Sequence, residues 1–197
     1  MAPREELVRL LEDFEREGTS VVGLICGTAE PEPWRLYPGE YGVFDRATSS
    51  QFYFHAHAGA AHEAGHFHTV RLFPDHTVHL VGISIAADGW PQALFTLNTW
   101  AIGDAEATAA ELKRHVRRFH IDPRHGASRV VRFVNLLFRA FEDDLERLQE
   151  EKLAALAGYR LAHPGINPLE DRGLEILSRV GLDLRHQLAG RDTLSSR

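Results

Sequence analysis

Phe52-Tyr-Phe-His-Ala-His57 and, after a short glycine-bearing connection, Gly65-His-Phe-His-Thr-Val-Arg-Leu-Phe73 decide the fold class. Both runs are dense in aromatic and β-branched residues, and both end against turn-forming residues, the pattern of antiparallel strands. Working outward, Thr48-Ser49-Ser50, Pro74-Asp75 and Ala87-Asp88-Gly89-Trp90-Pro91 punctuate the same texture, which predicts four antiparallel strands at about 51–57, 66–73, 77–86 and 93–101. On either side the apolar spacing turns helical. Leu7, Leu10, Leu11 and Phe14 predict a surface-docked helix over 4–17 that stops at Gly18, and helices are expected at 105–119, 128–157 and 168–181. Val21 to Cys26 fits either type, and the proline-rich stretch 27–42 reads as loop. Strands followed by helices predict an α+β fold: an antiparallel sheet of about four or more strands over 43–102, an N-terminal helix within 1–18 and C-terminal helices within 105–182 packed on it, and a tail at 183–197, all in one domain of 1–197.

Seven of the twelve histidines fall between positions 55 and 79. Crowded imidazoles repel one another when protonated and leave polar nitrogens to satisfy when neutral, so a shared metal ion is the economical reason to gather them. Side chains alternate along a strand, which pairs His55 with His57 and His66 with His68 on single faces. A tight hairpin at Pro74-Asp75 sets Phe73 against His76 and His79 against Val70, diagonal to His68. Pairing His57 with His66, and so His55 with His68, puts five imidazoles on one face of three strands, beside Val70, Leu72, Val81, Ile83 and Ile85 as a pocket lining. Cross-strand neighbours stand about 5 Å apart at Cβ and diagonal ones about 7 Å, within reach of a shared ion. The expected metal ligands are therefore His55, His57, His66, His68 and His79, with Glu63 as a further ligand or as a general base on metal-bound water. A nitrogen and oxygen donor set suits a divalent transition metal such as iron, zinc, manganese or copper. Tyr53, Asn98, Trp100 and Arg71 are candidate pocket residues: Tyr53 to hydrogen-bond a ligand, Asn98 and Trp100 from one face of the fourth strand, Arg71 for an anionic substrate.

His62-Glu-Ala-Gly-His66 also spells the H-E-x-x-H sequence of zinc peptidases, which needs a helix over about 60–72. Gly59, Gly65, Thr69 and Val70 oppose that helix, and the metzincin extension fails at Thr69 and Leu72. His55-Ala-His57 followed by Glu63 resembles a cupin pattern, with a longer spacing to the glutamate and no second glycine-proline motif. His66-Phe-His68 resembles the histidine-triad nucleotide hydrolases, but Val70 stands where their nucleophile is expected.

The formal charge of −6 argues against nucleic acid as a partner, since Arg114 to Arg118 are interleaved with Glu106 and Glu111. One cysteine, Cys26, excludes an internal disulfide framework and a thiolate-rich metal cage. The charged N-terminus and the short run at Val21 to Cys26 give no membrane span, so cytoplasmic residence is expected. The apolar stripe of the 128–157 helix can serve an intrachain core or a homodimer interface.

The chain resembles an uncharacterised bacterial protein family through Tyr37 to Asp45, Tyr53 to His57, Glu63-Ala-Gly-His-Phe-His68, His79 to Ser84 and Phe95-Thr-Leu-Asn-Thr-Trp100. The resemblance implies that the motif begins at Glu63, leaving His62 incidental, and it brings no activity with it. From the residues, the expectation is a metal-dependent enzyme acting on a small molecule, non-haem iron-type oxidoreductase ahead of hydrolase. The alternatives are a non-catalytic metal- or ligand-binding module and a zinc peptidase.

Overall fold

Six strands follow one another in space as they do in sequence: β1 (Val43–Asp45), β2 (Ser50–His55), β3 (Gly65–Leu72), β4 (Thr77–Ile85), β5 (Pro91–Leu97) and β6 (Ile176–Gly181), every neighbouring pair antiparallel. The computed structural model of the protein describes residues 1–27, 30–59, 62–102 and 106–185. The helices are α1 (Pro3–Arg16), α2 (Val21–Cys26), α3 (Thr99–Ile102), α4 (Ala109–Arg118), α5 (Ser128–Ala140) and α6 (Glu142–Ala162). The α+β architecture expected from the sequence is therefore present. Among the described residues no helix is long and apolar enough to cross a membrane.

One face of the sheet carries the core. Phe52, Phe54, Phe67, Ile83 and Leu94 point into it, and Phe133 of α5 meets Phe67 with ring centroids 5.8 Å apart. The stripe on α5 is buried inside the chain, from Val130 through Phe138. Helix α6 lies across β5 and β6, where Ser178 donates to the carbonyl of Leu148 at 2.9 Å. The β4–β5 pairing runs from Gly82 to Ile85, and just outside it Gln149 of α6 donates to the Leu80 carbonyl at 2.7 Å, satisfying a backbone acceptor in the buried layer.

Several expectations are corrected. The helix expected at 168–181 is the edge strand β6 over its second half: Ile176–Gly181 pair antiparallel with β5, and a bulge opposite Thr96/Leu97 lets the adjacent Leu177 and Ser178 both be buried. The helix expected at 128–157 breaks at Phe141, whose backbone leaves the helical region while its ring stays buried. The fourth strand stops at Leu97 and Thr99–Ile102 form one helical turn, because Asn98 accepts from the Thr99 amide and uses its own amide to hold the carbonyls of Pro168 and Leu174. A helix over 60–72 is excluded by the strand at Gly65–Leu72, which removes the peptidase geometry. Position 186 and beyond, including His186 and most of the expected tail, lie outside the described residues.

The register also differs from expectation. His55 faces His66 and Tyr53 faces His68, a two-residue slide that preserves which faces the side chains occupy. His79 does face Val70, but a bulge follows at Thr69/Val70. The extra residue reverses the parity of β4, so Gly82 and Ser84 oppose His68 and His66, while Val81, Ile83 and Ile85 turn to the core.

Candidate metal centre

Because His55 and His66 are direct cross-strand partners and His68 is two residues along the same face, their imidazoles meet above the middle of the sheet. Nε2 of His55 lies 2.7 Å from Nε2 of His66 and 3.1 Å from Nε2 of His68. These three histidines offer ligand atoms all within 4.8 Å of one another. An ion held at about 2.1 Å by three imidazoles separates the nitrogens by about 3.0 Å on an octahedral face and about 3.4 Å in a tetrahedron, so the donor set fits a single ion.

The outer ring nitrogens of His66 and His68 are engaged. Nδ1 of His66 lies 2.9 Å from Oε1 of Glu63, whose Oε2 accepts from Ser84 at 2.6 Å. Ser84 is in turn held by the side-chain amide of Gln92 at 3.0 Å. The hydrogen bond from His66, reinforced by Ser84, outweighs burial and holds the Glu63 carboxyl down at about 2. An ionised carboxylate only accepts, so the proton of His66 sits on Nδ1 and its Nε2 presents a lone pair to the centre. Behind His68, Nε2 of His79 lies 3.2 Å from Nδ1 of His68. When His68 donates there, its Nε2 is likewise a lone pair.

The electrostatics favour neutral rings at His55, His68 and His79. Burial, then the neighbouring imidazoles of His66 and His57, push His55 down to about 4. Burial drives His68 and His79 well below the ordinary histidine value. Metal ligation needs the neutral form, so the site is prepared for a cation by the same burial that disfavours protons.

The histidines form the floor of a cavity of about 640 Å³. Tyr53 and Phe95 flank the triad: the Tyr53 ring lies 5.1 Å from His68, and that of Phe95 lies 5.4 Å from His66. Burial pushes the Tyr53 phenol up to about 12. Close approach needs two glycines. A Cβ at Gly82 would meet the Phe95 ring at 2.3 Å, and one at Gly65 would meet the His55 carbonyl at 2.5 Å from a backbone with φ of 140°. The segment before β1 runs along the end of β2, bridging Pro33 to Ala56 and Tyr37 to Phe54, and brings Trp34 to 4.3 Å from the ring of His57.

Of the residues singled out in the sequence, His55, His66 and His68 converge. His57 stands beside them, 4.8 Å from His55 and 5.0 Å from His66 between ring centroids, on the cavity wall. Glu63 and His79 reach the outer nitrogens of His66 and His68 and not the centre. Trp100 lines the cavity from α3, with its indole donating to Leu174 at 3.0 Å. Asn98 and Arg71 are absent from the wall: Asn98 clamps the 168–174 segment, and Arg71 is buried near Phe73, His115 and Arg118. His62 is exposed and its carbonyl accepts from Gln92. The sequence reading missed Trp34, Leu36, Phe95, Leu97, Ile176 and Arg179, all on the wall. The spacing of Phe95 and Leu97 on one strand could have signalled the first pair, whereas Ile176 and Arg179 were hidden by reading β6 as helix.

Fold and centre together define an α+β protein with a histidine-rich open sheet face above a helix-packed core. The sequence profile of a family described as a domain of unknown function, DUF6969, matches residues 1–182, and the chain belongs to that family. No curated protein and no solved structure matches the chain.

Proposed function

We propose that the protein is a metal-dependent enzyme acting on a small molecule, with His55, His66 and His68 as the metal ligands and iron(II)-type redox chemistry ahead of hydrolysis. The observation that carries this is the meeting of three Nε2 atoms on the floor of a cavity while the opposite nitrogens of His66 and His68 are tied to Glu63 and His79. The two Nε2–Nε2 edges at His55, 2.7 and 3.1 Å, are nearer the about 3.0 Å of an octahedral face than the about 3.4 Å of a tetrahedron, which favours a six-coordinate ion with exchangeable positions. Such an ion supplies Lewis acidity and, as iron, electron transfer.

The chain's own residues set the rest. Glu63 acts as a positioning residue, fixing the tautomer and plane of His66. His57, on the wall and partly open, is placed to carry a proton to or from a ligand. The aromatic rings of Trp34, Tyr53 and Phe95 exclude water from the floor. A metal-storage or structural module would close the coordination sphere with protein; the engagement of Glu63 by His66 and Ser84 argues for an open one.

Elemental analysis of protein purified without a histidine tag and reconstituted anaerobically with iron(II) tests the proposal. About one metal per chain is expected, falling below about 0.1 in H66A or H68A and staying near one in H57A. Addition of nitric oxide to the iron form should give the high-spin signal of an exchangeable position. Occupancy below about 0.1 in the wild type would end the metal proposal, and a full site silent to nitric oxide would favour the closed module.

A further inference from the structure

We infer that the cavity takes an amphiphilic carboxylate, with Arg179 as the residue that recognises the anion; this rests on the cavity described above and names the class of molecule that enters it. Arg179 lies directly across the β5–β6 ladder from Phe95, the residue whose ring packs on His66 and His68. Cross-strand partners stand about 5 Å apart at Cβ, so Arg179 stands one strand beyond Phe95 on the same wall, with β4 and β5 between its strand and the triad.

Its charge is uncommitted. Arg179 makes no ion pair or side-chain hydrogen bond with any described residue, although elsewhere on the protein arginines pair with acids, as Arg117 does with Glu146, Arg129 with Glu17 and Arg185 with Asp88. Of the two acids on the cavity wall, Glu63 is held by His66 and Ser84, while Glu175 is exposed and, like Arg179, makes no ion pair or side-chain hydrogen bond with any described residue. An arginine with a planar fork and no partner on a cavity wall is suited to a bidentate carboxylate.

The remaining wall wants an apolar body. Trp34 and Ile176 are 66% and 47% exposed, unusually open for such side chains, and both border this cavity with Leu36, Leu97 and Trp100. A molecule with a carboxylate at Arg179 and an aromatic or branched chain across Trp34 and Ile176 covers this surface and leaves its far end over the triad. A purely polar ligand is the poorer occupant, because most of the surrounding wall is apolar.

The probe pair is 4-phenylbutanoate and its neutral amide, titrated against wild type, R179M and R179K in both metal-free and iron(II)-loaded protein, with tryptophan fluorescence from Trp34 and Trp100 as the readout. The carboxylate should bind at least about 10-fold more tightly than the amide in metal-free wild type, R179M should abolish that preference without weakening the amide, and R179K should keep part of it. Equal affinity for the two probes overturns the inference, as does a preference that survives R179M. So does absence of binding by either up to about 10 mM, or tighter binding of 4-phenylbutylamine. A preference seen only with iron bound and unaffected by R179M places the carboxylate on the metal, which overturns this inference and leaves the metal proposal standing. Conversely, an Arg179-dependent preference in protein that binds no metal sustains this inference while the metal proposal fails.

Discussion

Oε1 of Glu63 and Nδ1 of His66 are 2.9 Å apart, and this contact sets the direction in which His66 presents its lone pair. The carboxylate comes from the connection just before β3, three residues ahead of the imidazole it orients. Glu63→Gln keeps an acceptor and the chain length but removes the negative charge that fixes the Nδ1 proton and strengthens the ligand. Iron(II) affinity should fall by about 10-fold or more, within the about 10- to 100-fold range for partners of ligating histidines, with little change in the far-ultraviolet circular dichroism. Competition with a chromophoric chelator measures it. Unchanged affinity would mean that Glu63 serves only the Ser84 and Gln92 network.

The pH response of the metal-free protein follows from the buried imidazoles. An unfolded histidine titrates near about 6.5, while burial holds His55 in the folded chain down at about 4 and His68 and His79 well below the ordinary value. Between those limits the unfolded chain binds more protons than the folded one. Stability is therefore complete above the unfolded value and is lost as pH falls through the window from about 6.5 towards about 4, more so as His68 and His79 join. Urea midpoints of chelator-treated protein at pH 7, 6, 5 and 4.5 should decline steadily. H68Q, which takes one depressed imidazole out of the cluster, should flatten the decline. A midpoint constant over that range would contradict the neutral, buried state of these rings.

The sequence carried the strand character of the histidine runs and the face they share, because alternation is a local property that survives a two-residue slide between strands. It also carried the pairing of His79 with Val70, which depends only on the tight turn at Pro74-Asp75. The bulge that follows was not legible: nothing in the run from Val78 to Ile83 marks an extra residue, and the bulge alone moves Ile83 and Ile85 away from the histidines and brings Gly82 and Ser84 to them. The division of labour among the histidines was equally invisible. Whether His79 ligates or supports depends on a ring-to-ring distance, and the imidazole at His68 stands between it and the centre. Edge strand β6 is hard to tell from a helix in the sequence because Leu174 and Leu177, and Ile176 and Val180, stand at helical spacing, while its true partner is β5, some eighty residues earlier. With that strand went Arg179 and the far wall of the cavity.

Gly82 offers the sharpest test of how the sheet supports the centre. It faces Phe95 across the β4–β5 ladder, and a methyl there would meet the ring at 2.3, 2.5 and 2.7 Å, too close for any small adjustment. The ring cannot retreat towards the sheet, and on its other side it packs on His66 at 5.4 Å and His68 at 6.5 Å between centroids. Gly82→Ala should therefore cost about 1–3 kcal/mol by overpacking, a drop of roughly 2–10 °C in Tm for a chain of this size, and should weaken metal binding as the displaced ring disturbs the two imidazoles. Phe95→Leu in the same chain removes the ring that the methyl strikes. The double variant should be more stable than the sum of the single effects requires, by about 1 kcal/mol or more in a double-mutant cycle read from urea unfolding. Additive losses would show that the methyl is accommodated by movement of β4 itself, and would remove Phe95 from the support of the triad.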